Sequence, residues 1–379
     1  MPRRGENITK RKDGRWEARA IKGYDCNGRA KYEYIYGRSY SEVKEKKIAF
    51  LSHLGEKKHQ NGKILLNSVL SEFLLYHQNK SKESTVSQYK RIIDLHIRPQ
   101  LGELKLQDIT PFQIESYTHY KLNHGCIGSD KGLSPKTVRD ILTVLKSALL
   151  YAEERGYYSC NTKFSLPRKE KNKIDVLSKD EERMLWDHLT SNFEQAQLGV
   201  LLALCSGMRI GEICALRWND IDIENRLIMV RHTLQRISDI SGKQKTKLII
   251  GTPKSNASER EIPIMNILLP YIERCKPAVS QECYVLSGNT RPIEPSNYYA
   301  KYQRWLKEIG LAQHSFHTLR HTFATRCIES GGDAKSISEI LGHSDVRITL
   351  SLYVHPSLEQ KRQCINNMEK SGFSVTIAV

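Results

Sequence analysis

The chain has 379 residues, with 59 Lys and Arg against 42 Asp and Glu and a formal charge of +17. That length exceeds one core of ordinary size, so two or three domains are expected, and the basic excess favours a polyanionic partner through phosphate neutralisation. No apolar run reaches the roughly 18 residues of a membrane span. Met1-Pro2-Arg3-Arg4 is not followed by the apolar stretch of a secretory signal, and nine cysteines without a C-x-x-C pair fit a reducing cytosol and argue against zinc.

The first segment reads as three strands and a helix. Asp13-Gly14 and Asn27-Gly28 suit the positive φ angles of tight hairpin turns. Between them Trp16, Ala18 and Ala20 alternate with Glu17 and Arg19, and afterwards Tyr32, Tyr34 and Tyr36 fall on one face. A helix is expected from about Ser41. Residues 1–47 hold fourteen Lys and Arg against seven Asp and Glu. A sheet presenting Arg15, Arg19, Lys22 and Arg29 can lie in a DNA groove; a solvated charged face is the rival reading.

His53 to Lys63 is polar, contains Gly55 and Asn61-Gly62, and reads as a linker. Leu66, Leu70, Phe73 and Leu74 then follow helical spacing. Ser84 is a candidate cap for a second helix that stops near His96, ahead of Pro99 and Gly102. Phe112 to Leu122 suggests a third, and Ser134-Pro135 opens a fourth as N-cap and first residue. Its apolar face carries Val138, Ile141, Leu142, Leu145, Leu149 and Ala152. The linker from Asn161 to Asp175 holds Pro167, Arg168, Lys169, Lys171 and Lys173, a tether that can track a phosphate backbone or simply stay solvated. Ser178 and Glu181 form a capping box, Gln197 to Cys205 reads as a buried helix, and strands are expected at Leu227–Thr233, Lys247–Ile250 and Arg260–Ile264. The domains are therefore expected at 1–55, 63–162 and 174–379.

Several polar residues in the last domain carry chemistry. Arg209 follows an apolar helix and Gly207, where a rigid core would aim a guanidinium at two phosphate oxygens; Glu212 can hold it. Lys254 is expected at the tip of a strand–turn–strand from Ile249 to Ile264, placed to give a proton to a departing oxygen. His317 and Arg320 are three apart and share a helix face. His343 follows Leu341-Gly342 at a helix end, and Tyr353 offers a phenol nucleophile. Each alone has an ordinary structural explanation; their conjunction and order do not.

Arg209, Lys254, His317-x-x-Arg320, Leu-Gly-His343 and Tyr353 together resemble the tyrosine recombinases, or phage-type integrases, from Leu177 to His355. The helical 63–162 segment looks like that family's core-site-binding domain. The N-terminal sheet resembles the arm-site-binding domain of integrases from conjugative transposons and temperate phages. The resemblance implies a multidomain α+β chain: a small three-stranded sheet plus helix, an all-helical domain, and a mainly helical catalytic domain with a small antiparallel sheet. It implies attack by Tyr353 on a DNA phosphate, a 3′-phosphotyrosyl intermediate, and strand exchange through a Holliday junction that integrates and excises a mobile element. Arg209 and Arg320 would neutralise charge on phosphorus, His317 and His343 would donate hydrogen bonds, and Lys254 would be the general acid. The cationic surroundings are expected to favour the phenolate, and His317 could shuttle its proton. Neither metal nor ATP is called for, so no cofactor is expected. The implied partners are double-stranded attachment sites, three further copies in a homotetramer and a small directionality factor for excision, in the bacterial cytoplasm. Leu358, Ile365 and Met368, ahead of Phe373-Ser-Val-Thr-Ile, suggest a tail that packs on a neighbouring protomer. The rival readings are a metal-dependent transposase, a type IB topoisomerase and a non-catalytic DNA-binding regulator.

Overall fold

The computed structural model describes residues 7–24, 29–61, 64–157, 164–168, 174–240, 244–252, 258–276, 282–353, 362 and 365–368. The chain divides into two units, Met1–Lys171 with Ser238–Lys245, and Asn172–Ile237 with Thr246–Val379.

The first unit holds two separate cores. Strands β1 (Ile8–Lys10), β2 (Trp16–Tyr24) and β3 (Ala30–Gly37) form an antiparallel sheet in that order. The turn at Asp13-Gly14 is present, with Gly14 at φ +84°; Asn27-Gly28 lies outside the described residues. The pleat sends Ala18 toward helix α1 (Tyr40–Asn61), where it meets Ile8 and Val43 with Trp16, Ile35 and Tyr40 around them. Helix α1 continues through the stretch expected as a linker from His53. Glu56, Lys57 and Lys58 are good helix formers, and one interior Gly55 costs only about 1 kcal/mol.

The second core belongs to helices α2 (Leu66–Gln78), α3 (Glu83–Ile92), α4 (Arg98–Leu101), α5 (Pro111–His124) and α6 (Pro135–Glu154). Ser134 caps α6 by accepting from Thr137 N at 3.2 Å, and all the residues expected on its apolar face are buried. Two expectations are corrected. Lys82, not Ser84, occupies the N-cap of α3, and Glu83 takes the first turn, where its charge suits the helix dipole. The helical run does not stop at His96. A π-turn at Ile93–Ile97 carries it into α4, and this wider turn accommodates Pro99, which has no N–H to donate.

In the second unit, α7 (Lys179–Ser191) begins with the expected Ser178–Glu181 capping box. Helix α8 (Leu198–Ser206) is buried at every residue, which explains why its sequence is apolar all round. Around it lie α9 (Ile210–Ala215), α10 (Leu269–Cys275), α11 (Pro295–Glu308), α12 (Phe316–Glu329), α13 (Ala334–Leu341) and α14 (Val346–Tyr353). Strands β4 (Ile221–Asp222), β5 (Leu227–Val230) and β8 (Arg260–Pro263) make one sheet; β6 (Thr233–Ser238) and β7 (Thr246–Gly251) make another. The strand expected at Leu227–Thr233 therefore breaks after Val230, and β6 is a separate strand. The Ile249–Ile264 segment is not a hairpin either: β7 pairs with β6 and β8 with β5. Burial selects this register, because pairing Ile228 with Ile262 places both in the core.

Candidate active site

Arg320 is the anchor. It sits one turn into α12 with 1% of its surface exposed. Its Nη1 donates to Gly207 O at 2.9 Å and its Nη2 to Leu341 O at 2.7 Å. These carbonyls belong to the C-terminal ends of α8 and α13, where a cation meets the negative pole of each helix. Both ends turn through a left-handed glycine, Gly207 at φ +64° and Gly342 at φ +65°. Among the described residues Arg320 Nε is buried without a hydrogen-bond partner. Burial, then the charge of Arg209, pushes the guanidinium down to about 9, so it stays charged at neutral pH.

Glu212 organises the second cluster. Arg209 is the N-cap of α9, and Glu212 accepts from its backbone N at 3.0 Å and its Nη1 at 2.7 Å. Arg260, at the start of β8, also donates to Glu212, through Nη2 at 2.9 Å and Nη1 at 3.3 Å. It further donates to Ile340 O and Ser258 O. Burial pushes the Glu212 carboxyl up, but the charges and hydrogen bonds of Arg260 and Arg209 outweigh it and hold the group below its ordinary value. Arg209 Nη2 reaches Gly342 O at 3.4 Å, so both arginines touch the end of α13 just ahead of His343.

Three imidazoles line α12 and the loop after α13. His343 Nδ1 shares a hydrogen bond of 2.8 Å with the buried Thr349 Oγ1. Partial desolvation, then the charges of Arg320 and Arg209, pushes His343 down to about 4. Desolvation, then His321 and Arg320, does the same to His317, also to about 4. Both are neutral donors at neutral pH. Tyr353 is 6% exposed and packs beside Phe323, Ala324, Ile337 and Leu341. Burial raises its phenol above the ordinary value, and the charges of Arg320 and Arg209 offset this only in part. The cations thus act in the expected direction, toward phenolate, but burial outweighs them. The ring at the Tyr353 hydroxyl is His321, at 2.6 Å, not His317.

The fold thus gathers Arg209, Glu212, His317, Arg320, His343 and Tyr353 in one unit. Lys254 lies outside the described residues, on the connection from β7 to β8. Arg260 and His321 escaped the sequence reading. His321 directly follows Arg320 and had a signal in its adjacency; Arg260 had none short of knowing which strands pair.

On the N-terminal sheet, Arg19 stacks over Tyr32 at 3.6 Å, Arg15 pairs with Asp13 and lies 5.9 Å from the Tyr36 ring, and Lys22 pairs with Glu33. Arg29 and Arg168 are exposed, and Lys169 lies outside the described residues. In the tail, Ile365 and Met368 are exposed, and Leu358 and 369–379 lie outside the described residues. Among the described residues no three His, Cys, Asp or Glu side chains cluster to hold a metal ion, and no helix is long and apolar enough to cross a membrane.

Residues 175–360 match the phage integrase family, and residues 65–122 match the phage integrase N-terminal SAM-like domain. The chain is 28% identical to a tyrosine recombinase XerC-like protein of Caldanaerobacter subterraneus, over 91% of this chain and 93% of that one. The fold is similar to that of the Tn1549 transposon integrase in complex with circular intermediate DNA, with a TM-score of 0.64 and 22% identity over 80% of this chain and 100% of the other. It is also similar to a lambda integrase tetramer bound to a Holliday junction, with a TM-score of 0.56 and 19% identity over 93% and 97%. The family match spans the segment in which Arg209, the buried Arg320, paired helix ends and a docked tyrosine come together, and the chain belongs to the phage integrase family of tyrosine recombinases, which cleave and rejoin DNA.

Proposed function

We propose that this recombinase uses Tyr353 as its nucleophile and integrates and excises a mobile element, a conjugative transposon or a prophage, at specific attachment sites. The reading rests above all on the convergence of Arg209, Arg320 and the His343 turn at the end of α13, in the unit that also buries Tyr353. Tyr353 Oη attacks the scissile phosphorus, the bond to the 5′ oxygen breaks, and a 3′-phosphotyrosyl ester conserves the bond energy for rejoining. Arg209 and Arg320 meet the charge that grows on the non-bridging oxygens, in a setting where fixed donors need no reorganisation. Neutral His317 and His343 add N–H donors, Lys254 gives the 5′ oxygen its proton, and Glu212 holds Arg209 in place.

The N-terminal sheet with Arg15, Arg19, Lys22 and Arg29 binds a second class of site, the 63–162 helices grip the core site, and Arg168 and Lys169 follow the backbone between domains. Four protomers act together on two duplexes in the bacterial cytoplasm, with a small directionality factor for excision. The sheet favours a mobile-element integrase over a chromosome-dimer resolvase by family analogy.

The test is a nicked suicide duplex spanning the junction between the resident element and its chromosomal flank, incubated in EDTA with the wild type and with Tyr353→Phe. A covalent protein–DNA band only with the wild type is expected. Its absence from both, with DNA bound, would move the assignment to a non-catalytic regulator. Efficient relaxation of a plasmid lacking the site would favour a type IB topoisomerase.

A further inference from the structure

We propose that His321 is the proton acceptor for the Tyr353 phenol, a role that rests on Tyr353 being the nucleophile. The geometry carries the assignment. Tyr353 Oη and His321 Nδ1 are 2.6 Å apart, within the range of a direct proton transfer. Their rings tilt at 51° with centroids 5.6 Å apart. His321 sits one helical turn after His317 on α12, and the two rings meet edge to face at 4.6 Å. The phenol is buried, so bulk water has little access to its proton.

The surroundings suit a base that is neutral at rest. Desolvation and the Arg320 charge hold His321 below its ordinary value, while the Asp175 carboxylate pulls it back up. Asp175 is fixed nearby through Thr318 Oγ1 at 2.8 Å and His314 Nδ1 at 2.8 Å. The groups facing His321 are therefore Arg320 and His317 on its own helix, Tyr353 on α14, and Asp175 ahead of α7. With the proton on Nε2, His321 Nδ1 accepts the hydrogen bond from the phenol.

The step balances without a further reactant. As the Tyr353 O–P bond forms, the phenolic proton moves to His321 Nδ1, the bond from phosphorus to the 5′ oxygen breaks, and that oxygen takes a proton from the acid assigned to Lys254. Asp175 offsets the new imidazolium charge. On rejoining, the attacking 5′-hydroxyl returns its proton to the acid, and His321 returns its own to the departing phenolate.

The experiment compares wild type, His321→Asn and Tyr353→Phe in single-turnover cleavage of the same suicide duplex between about pH 6 and pH 9, with DNA affinity measured in parallel. Asn can still accept the phenol's hydrogen bond but cannot take its proton. A loss of about 100-fold at pH 7 is expected for His321→Asn. That loss should shrink about tenfold per pH unit as solvent base forms the phenolate instead. A loss under about threefold, or one constant across the pH range, overturns the proposal, because a purely positioning His321 gives those results. If the Asn variant fails to hold DNA, His321→Gln is read by the same criteria. A covalent band surviving in Tyr353→Phe would sink the nucleophile assignment itself, an outcome separate from the His321 result.

Discussion

Arg260, opening β8, and Glu212, in the first turn of α9, form a buried ion pair at 2.9 Å with 5% and 2% of their side chains exposed. The pair fastens a strand to the helix whose cap is Arg209, and Arg260 continues to Ile340 O near the end of α13. Through Arg209 and Arg260 this carboxylate ties together the start of α9, strand β8 and the end of α13. Neutralising Glu212 leaves the buried Arg260 charge without its carboxylate, and such a loss typically costs about 3–5 kcal/mol.

Glu212→Gln is accordingly expected to lower the urea midpoint and to slow cleavage, with little effect on DNA affinity. The carboxyl is held below its ordinary value in the fold, so its contribution to stability is present above about pH 4.5 and is lost as pH falls through the folded value. Denaturation followed from pH 7 to pH 3 should therefore show a shallower acid loss in the Gln variant. An equal loss in both proteins would contradict the pairing.

Gly207→Ala tests the helix end that receives Arg320. Gly207 has φ +64°, and an added Cβ would lie 2.7 Å from Leu341 Cδ2 and 2.7 Å from Phe323 Cδ1. Left-handed strain of about 1 kcal/mol and overpacking of about 1–3 kcal/mol should add to a loss of roughly 2–4 kcal/mol in unfolding free energy. Cleavage should fall as well, because Gly207 O is a ligand of the Arg320 guanidinium. Retention of full activity with full stability would show that this end has slack.

Arg320→Lys keeps the charge and removes the planar fork that spans two helix ends 2.9 and 2.7 Å away. The expected result is a drop in cleavage of about 100-fold or more with site binding nearly unchanged, since the loss falls on the charge that develops in the transition state. Quantified covalent complex and a gel shift on the same duplex separate the two effects.

The two depressed histidines predict a second pH window. His317 and His343 fall to about 4 in the fold against about 6.5 unfolded. Their neutral forms support the fold above about pH 6.5, and that support declines as pH drops toward about 4, because the unfolded chain binds the protons first. A His317→Asn/His343→Asn double variant should flatten the stability curve across that window. Calorimetry at stepped pH provides the check.

On the N-terminal sheet, Arg19→Ala should weaken binding to arm-type DNA and leave core-site cleavage intact. If Arg19 meets a phosphate, the slope of log affinity against log salt falls by about 0.9. Loss of affinity without a change in slope would point instead to Arg19 supporting the Tyr32 ring, over which it lies at 3.6 Å.

What the sequence determined by itself was local or carried by motif order. Ser134-Pro135 and Ser178–Glu181 declare their helices because a cap bonds to an amide three residues away. The order of Arg209, His317-x-x-Arg320, His343 and Tyr353 identified the chemistry. Tertiary structure alone decided the rest, since those choices depend on groups far apart in the chain. Burial of Ile228 and Ile262 paired β8 with β5 and left β7 to β6, a choice invisible in the turn residues near Lys254. Arg260 finds Glu212 across 48 positions, and His321 finds Tyr353 across 32. The direction of the Tyr353 shift turned on burial against charge, and only packing sets how dry a phenol becomes.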